Sequence, residues 1–323
     1  MSAPFFRANK APTFFLRVLI VVIIFLGILA RMTGFSIEPV IQFIDAIATR
    51  DFLRNALITA ILIGVTAGII GAFVILRGLS LMGDAIGHAV LPGVAMSIHF
   101  GINPVLGATA FGLLASLFIG FVGDKSTLKK DTVMGVVFTS FFALGIILIS
   151  QIRTRININN ILFGNVLTVT PERVGTMIWM TVGLILLVVL FYKELLLTSF
   201  DEITAKVYGL KTKLIHYLFL FVLTLVIVLS LQITGAILIV AMIISPAATA
   251  FLWTNRMHVM MILSAFLGVI SATVGIFVSV TFDISSGSSI VIVAAILFAL
   301  SFTFAPKGVL KHLDARRLLR LKR

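Results

Sequence analysis

Ten runs of about 20 apolar residues follow one another along this chain of 323 residues, and within each the apolar residues are continuous, not alternating. A helix of about that length is what a hydrocarbon layer of about 30 Å requires. Inside such a layer every backbone N–H and C=O must find an internal partner, which leaves helices or closed barrels. Barrel strands would alternate apolar and polar residues over about ten positions, and these runs do not. The sequence therefore predicts an all-α polytopic membrane protein of about ten transmembrane helices, at 14–34, 54–76, 80–99, 104–123, 132–150, 173–192, 214–232, 234–253, 258–281 and 286–305. Only 11% of residues are charged, against about 25% in soluble domains. The eighth run follows the seventh so closely that a broken or re-entrant segment is one way to read the pair.

A net charge of +13 raises the question of nucleic acid. The basic residues are scattered in short segments between apolar runs and at the C-terminus, which fits membrane topology and not a nucleic-acid surface. With both termini in the cytoplasm, 19 of the 25 Lys and Arg fall inside and six (Arg31, Arg50, Arg54, Arg153, Arg155 and Arg173) outside. That asymmetry sets the expected orientation in a plasma membrane. There is no cysteine, hence no disulfide and no thiolate metal site. The first run is longer than the 7–15 apolar residues of a signal peptide, and "ARMTGF" is a poor cleavage site, so it reads as a helix. The chain divides into an extension over 1–52 with one extra helix and an outer linker, a core over 53–306, and a basic cytoplasmic tail over 307–323.

Two connections are long. Residues 151–172 are expected outside, with a short helix or re-entrant turn. Residues 193–213, "KELLLTSFDEITAKVYGLKTK", are expected in the cytoplasm. They mix apolar and charged residues as an amphipathic helix does, either lying on the membrane or docking a partner; a solvated connector is the plainer alternative. The tail needs no role beyond attraction to anionic lipid.

Acidic residues are scarce, 12 in all, and only Asp84 lies within a helix-forming apolar run. An ionised carboxylate in a membrane costs about 2.5–3.5 kcal/mol on insertion scales, so such a residue is a functional candidate. His88 stands four residues on, in "GDAIGHAVLPG", and residues i and i+4 share a helix face. Oxygen and imidazole nitrogen together suit Mn²⁺, Fe²⁺ or Zn²⁺, with water, a partner helix or a second copy completing the shell. Two other readings stay open: a mutual hydrogen bond with a structural role, and a proton relay. Gly83, Ala85, Gly87 and Ala89 would admit a close helix neighbour. His99, His216, His258 and His312 lack an acid at helical spacing within an apolar run and read as structural. No G-x-x-x-x-G-K-[ST] loop is present and no hydrolase signature, so a transporter of this sequence draws on a gradient or a partner ATPase.

The stretch "NALITAILIGVTAGIIGAFVILRGLSLMGDAIGHAVLPGVAMS" resembles the core of the manganese/zinc/iron permeases of bacterial ATP-binding-cassette importers. "ILFGNVL", "TSFDEITAKVYGL", "GAILIVAMIISPAATA" and "DISSGSSIVIV" continue the likeness in order, so that it covers about 53–306. The resemblance implies a type II importer-like permease, homodimeric, with two cytoplasmic ATPase subunits and an extracytoplasmic metal-binding protein. It implies a transported divalent metal in place of a resident cofactor, and no enzymatic activity in this chain. Asp84 and His88 match the Asp and His that line the family's metal pathway. Phe200, Asp201, Glu202, Ala205 and Gly209 fall in the region that couples to the ATPase. "LRGLSLMGD" is nearer the manganese and iron members than the zinc ones. Gly87 stands where the family usually has Ser, and the extra first helix resembles the larger vitamin B12 and siderophore importers. Rival readings are a proton-linked secondary transporter and an ATP-driven permease for a metal chelate.

A straight helix from residue 80 would leave Asp84 about a turn from the cytoplasm, since four residues rise only about 6 Å. The chain around Gly78–Gly83 is therefore expected to bend or dip, carrying Asp84 and His88 toward the middle of the bilayer.

Overall fold

The computed structural model describes residues 38–152 and 166–308, together with Gly27 and Arg31 singly. The expected first helix, residues 153–165 of the long outer connection and the tail from residue 309 lie outside the described residues. All regular structure among the described residues is helical: α1 (Glu38–Thr49), α2 (Asp51–Leu76), α3 (Met82–Ala89), α4 (Leu91–His99), α5 (Pro104–Lys125), α6 (Lys130–Gln151), a 3₁₀ turn (Val166–Thr168), α7 (Pro171–Leu190), α8 (Tyr192–Phe200), α9 (Glu202–Val207), α10 (Thr212–Thr234), α11 (Ala236–Trp253), α12 (Met257–Phe282) and α13 (Ser286–Phe304). Eight of them (α2, α5, α6, α7, α10, α11, α12 and α13) are long and apolar enough to cross a membrane.

Helix α2 lies at the centre, packed against α12, α11 and α7. Its buried residues run all round the helix, from Leu53 through Ile63 and Ile70 to Phe73, as expected of a helix surrounded by protein. What lets α12 approach so closely is the absence of side chains. A Cβ built on Gly64 would sit 2.7 Å from the carbonyl carbon of Gly268, and one on Gly268 would sit 2.4 Å from the carbonyl oxygen of Gly64. Small residues at such crossings allow backbone contact where lipid supplies no hydrophobic drive between helices. On the periphery, α1 rests on the bundle through Phe43, whose ring meets Phe277 edge-on at 5.3 Å.

Arg77, Lys125, Lys130, Lys213, Arg256 and Lys307 all fall at or next to the helix ends on one side of the bundle, hereafter the basic end. There Lys307 Nζ donates to the carbonyls of Phe251 (2.8 Å) and Thr254 (3.0 Å), closing the end of α11. At the opposite end α10 gives way to α11 through the single residue Gly235, at φ 78°. The seventh and eighth runs are thus two separate helices.

The run at 80–99 is where the structure departs from the sequence reading. It forms two short helices, α3 and α4, which meet at Val90. At 1.5 Å per residue, eight and nine residues reach about 12 and 14 Å, too short for either to span. The cause is visible in "LPG": Pro92 has no N–H to offer the carbonyl four residues back and disrupts a continuous helix. The expected bend before Asp84 is present as a turn over residues 77–81, with Gly78 at φ 64°, a conformation that glycine adopts without steric cost. Two backbone bonds anchor the turn, Leu79 N–H to Val74 O (2.9 Å) and Met82 N–H to Leu79 O (2.9 Å).

The α2–α12 contact yields a stability prediction. Gly268→Val should destabilise the permease by about 1–3 kcal/mol through overpacking against backbone. Gly175→Ala, on α7 where an added Cβ meets nothing within 4 Å, should be neutral. Thermal unfolding of the two purified variants in one detergent checks this, the valine variant melting lower.

Candidate metal pathway and docking surface

Helix α3 carries Asp84 in its first turn and His88 in its last. The i, i+4 spacing brings Asp84 Oδ1 and His88 Nε2 to 3.3 Å, with the histidine side chain 18% exposed and the aspartate 50% exposed. The imidazole packs against two rings of α6, Phe138 and Phe142, each with its centroid 5.3 Å away. Those phenyl rings, themselves stacked at 5.8 Å, form an apolar wall that fixes the plane of the imidazole. His88 Nδ1 is buried without a hydrogen-bond partner. A buried orphan of this kind costs about 1–3 kcal/mol.

Neighbouring contacts fix where α3 sits. A Cβ on Gly83 would lie 3.6 Å from Val240, and one on Gly87 would lie 3.6 Å from Ala236 and 3.7 Å from Leu231. Ala236 opens α11 and Leu231 lies in the last turn of α10, so His88 stands beside the Gly235 reversal and away from the basic end. A Cβ at position 87 fits these distances without clash. No group of three or more His, Cys, Asp or Glu gathers among the described residues. Asp84 and His88 therefore offer two donors with no third His, Cys, Asp or Glu beside them among the described residues.

The expected coupling segment folds as two short helices at the basic end. Asp201 separates them and caps α9: its Oδ1 accepts from the amides of Ile203 and Thr204, both at 3.0 Å, and Oδ2 accepts from the Thr204 hydroxyl. These bonds, the Thr204 hydroxyl first, hold the Asp201 carboxyl below the usual carboxylate range. Glu202 pairs with Lys206 at 2.7 Å, and that bond lowers its pKa as well. Ala205 is the buried anchor of α9, and Gly209 ends it at φ 79°. Phe200, Ile203, Val207 and Tyr208 point outward, Val207 82% exposed and Ile203 and Tyr208 each 76%. Four large apolar side chains thus lie exposed on a charged connector at the basic end.

One group the sequence reading counted only as a charge is central here. Arg77, next after α2, donates from Nε to Ser199 Oγ (2.9 Å) and from Nη2 to Thr198 Oγ1 (3.0 Å). Its guanidinium lies 4.3 Å over the Phe219 ring. Burial pushes its pKa down to about 10, the Glu202 carboxylate acting in the other direction, so it stays charged at neutral pH. No local spacing signals this contact, because its partners lie 121 and 122 residues away.

Eight helices of membrane-crossing length, an acid–histidine pair on a short helix and exposed apolar side chains at the basic end are features that suit a transport permease. Residues 49–305 match the family described as the ABC 3 transport family, and the chain belongs to it, as a multi-pass, non-catalytic permease subunit. It is 50% identical over 277 residues (86% of this chain and 99% of the relative) to the manganese transport system membrane protein MntC of Listeria monocytogenes. It is 48% identical to the manganese import system permease protein ScaB of Streptococcus parasanguinis over 82% of this chain and 95% of that one. A probable iron transport system membrane protein of Haemophilus influenzae is 36% identical over 79% of this chain and 94% of its own length. Among solved structures, PsaBC from Streptococcus pneumoniae in complex with Fab superposes with a TM-score of 0.75 at 45% identity, over 88% of this chain and all of that one. A putative metal-chelate type ABC transporter in an inward-facing conformation shares the fold, with a TM-score of 0.61 at 18% identity, over 90% of this chain and 98% of that one.

The Asp201 cap makes a local prediction. Asp201→Ala removes both acceptors and should speed amide exchange at Ile203 and Thr204 at least threefold, while Asp201→Asn, which keeps one oxygen, should retain most of the protection. Because the folded pKa is depressed, the cap is complete above the ordinary aspartate value near 3.9 and is lost only as pH falls through the lower folded value. Hydrogen–deuterium exchange at several pH values reads both effects.

Proposed function

We propose that this chain is the membrane permease of an ATP-driven divalent-metal importer, with manganese as its favoured cargo and iron or zinc next, and that the ion passes between Asp84 and His88. The observation that carries the site assignment is the pair itself. Ligand oxygen and nitrogen atoms about 2.1 Å from a metal stand about 3.0 Å apart at a right angle and about 3.4 Å at the tetrahedral angle, and Asp84 Oδ1 and His88 Nε2 are 3.3 Å apart. Two protein donors bind weakly enough to release, while replacing part of the ion's water shell with one full negative charge. The half-exposed carboxylate argues against a pair that exists only to satisfy itself. The cargo is read from relatives about 50% identical whose names specify manganese.

The assembly we infer is a homodimer with cytoplasmic ATPase subunits and an extracytoplasmic metal-binding protein, in a bacterial plasma membrane with the basic end and both termini inside. On this reading residues 53–306 carry transport and the segments on either side are additions. Phe200, Asp201, Glu202, Ala205 and Gly209 build the ATPase-docking surface, with Ile203, Val207 and Tyr208 as its apolar contacts. Hydrolysis belongs to the partner, since this chain carries no phosphate loop.

Asp84→Ala and His88→Ala should each lower manganese uptake at least tenfold in vesicles holding the whole complex, while the ATPase still copurifies with the permease. Normal uptake by both variants would remove the pair from the pathway. Uptake driven without the ATPase subunit would favour a proton-linked carrier instead.

A further inference from the structure

The chain connects its two working regions through one arginine. Arg77 begins the turn that leads into α3, seven positions before Asp84. Its guanidinium reaches across to the last turn of α8, immediately before Phe200 and the Asp201 cap. We propose that Arg77 is a positioning residue that transmits movement of the ATPase-docking helices α8 and α9 to the helix bearing Asp84 and His88; the inference rests on the permease reading above.

Three features support a transmitting role. First, the hydrogen-bond polarity is fully committed. The Thr198 and Ser199 hydroxyls donate their single protons to the carbonyls of Glu194 and Leu195, so each offers only a lone pair outward. Arginine, which donates and never accepts, fits both at once with a planar fork. A lysine, as a point charge, fits this geometry less well. Second, the contact borders a cavity. A cavity of about 790 Å³ lies at the basic end, lined among others by Arg77, Lys130, Thr198, Glu202, Lys213 and His216. Beside such a cavity α8 is not wedged onto α2 by continuous packing, and a polar fork there can break and re-form. Third, the path from Arg77 to Asp84 is short and anchored. Leu79 N–H bonds to Val74 O and Met82 N–H to Leu79 O, and Leu79 and Met82 are buried at 3% and 0% exposure. Movement of the guanidinium therefore acts on α3 through a turn pinned at Leu79 and Met82.

The test uses the whole complex, permease with ATPase and binding protein, in proteoliposomes, reading manganese transported per ATP hydrolysed. Arg77→Gln should lower that ratio at least tenfold, and Thr198→Val with Ser199→Ala should do the same while leaving the arginine in place. Combining all three substitutions should be no worse than either set alone, and Arg77→Lys should fall between. An unchanged ratio, or losses that multiply, would overturn the latch. A second measurement does not depend on the cargo. The chain has no cysteine, so nitroxides can be placed through Leu81→Cys and Lys193→Cys, both exposed positions, in spin-diluted complexes. The distance distribution should at least double in width with Arg77→Gln; an equal width refutes the connection even if no manganese is moved. Asp84→Ala in the same vesicles keeps the questions apart. Normal uptake there would defeat the site assignment, whereas the transport ratio and the label widths judge Arg77.

Discussion

Everything in this bundle hangs on α2 being approachable to the level of its backbone. In lipid no hydrophobic drive pulls helices together, and van der Waals contact has to supply it. The Gly64–Gly268 crossing maximises that contact by bringing two backbones together where a methyl group would collide. Gly71 extends the same strategy to α11, since a Cβ there would sit 2.1 Å from the Ile243 carbonyl oxygen. With α11 and α12 seated against it, α2 becomes the fixed reference for the rest. Its C-terminal end sets the start of the turn to α3, and α11 supplies Val240 and Ala236 as the wall against which α3 lies. The position of Asp84 is thus a consequence of glycines on other helices.

The acid–histidine pair shows how a short helix presents two donors in an apolar setting. A single turn separates them, so their spacing is fixed by helix geometry and not by a loop. The Phe138 and Phe142 rings flank the imidazole. The aspartate side chain is left half-exposed.

Much of this was legible in the sequence, for identifiable reasons. Uninterrupted apolar length is a one-dimensional property, so the eight long helices emerge within a few residues of the hydropathic runs. Asp84 and His88 were readable because helical periodicity alone puts them on one face. The segment 193–213 was readable as an amphipathic connector, although Asp201 as the cap between two helices was not anticipated. The run at 80–99 misled because apolar length does not distinguish one spanning helix from two short ones; Pro92 was the available signal. Arg77 was invisible for a different reason. Its partners are over a hundred residues distant, and no pattern within the LRG sequence announces hydroxyl acceptors on another helix. Phe138 and Phe142 were hidden among 28 phenylalanines, distinguished only by what they touch.

The one-residue reversal at Gly235 has a geometric consequence for motion at the end opposite the basic one. A single residue joins α10 to α11, and the three residues Asp283–Ser285 join α12 to α13. With no chain to spare, the two helices of each pair cannot part at that end without unwinding a turn, so any rearrangement there moves them in pairs.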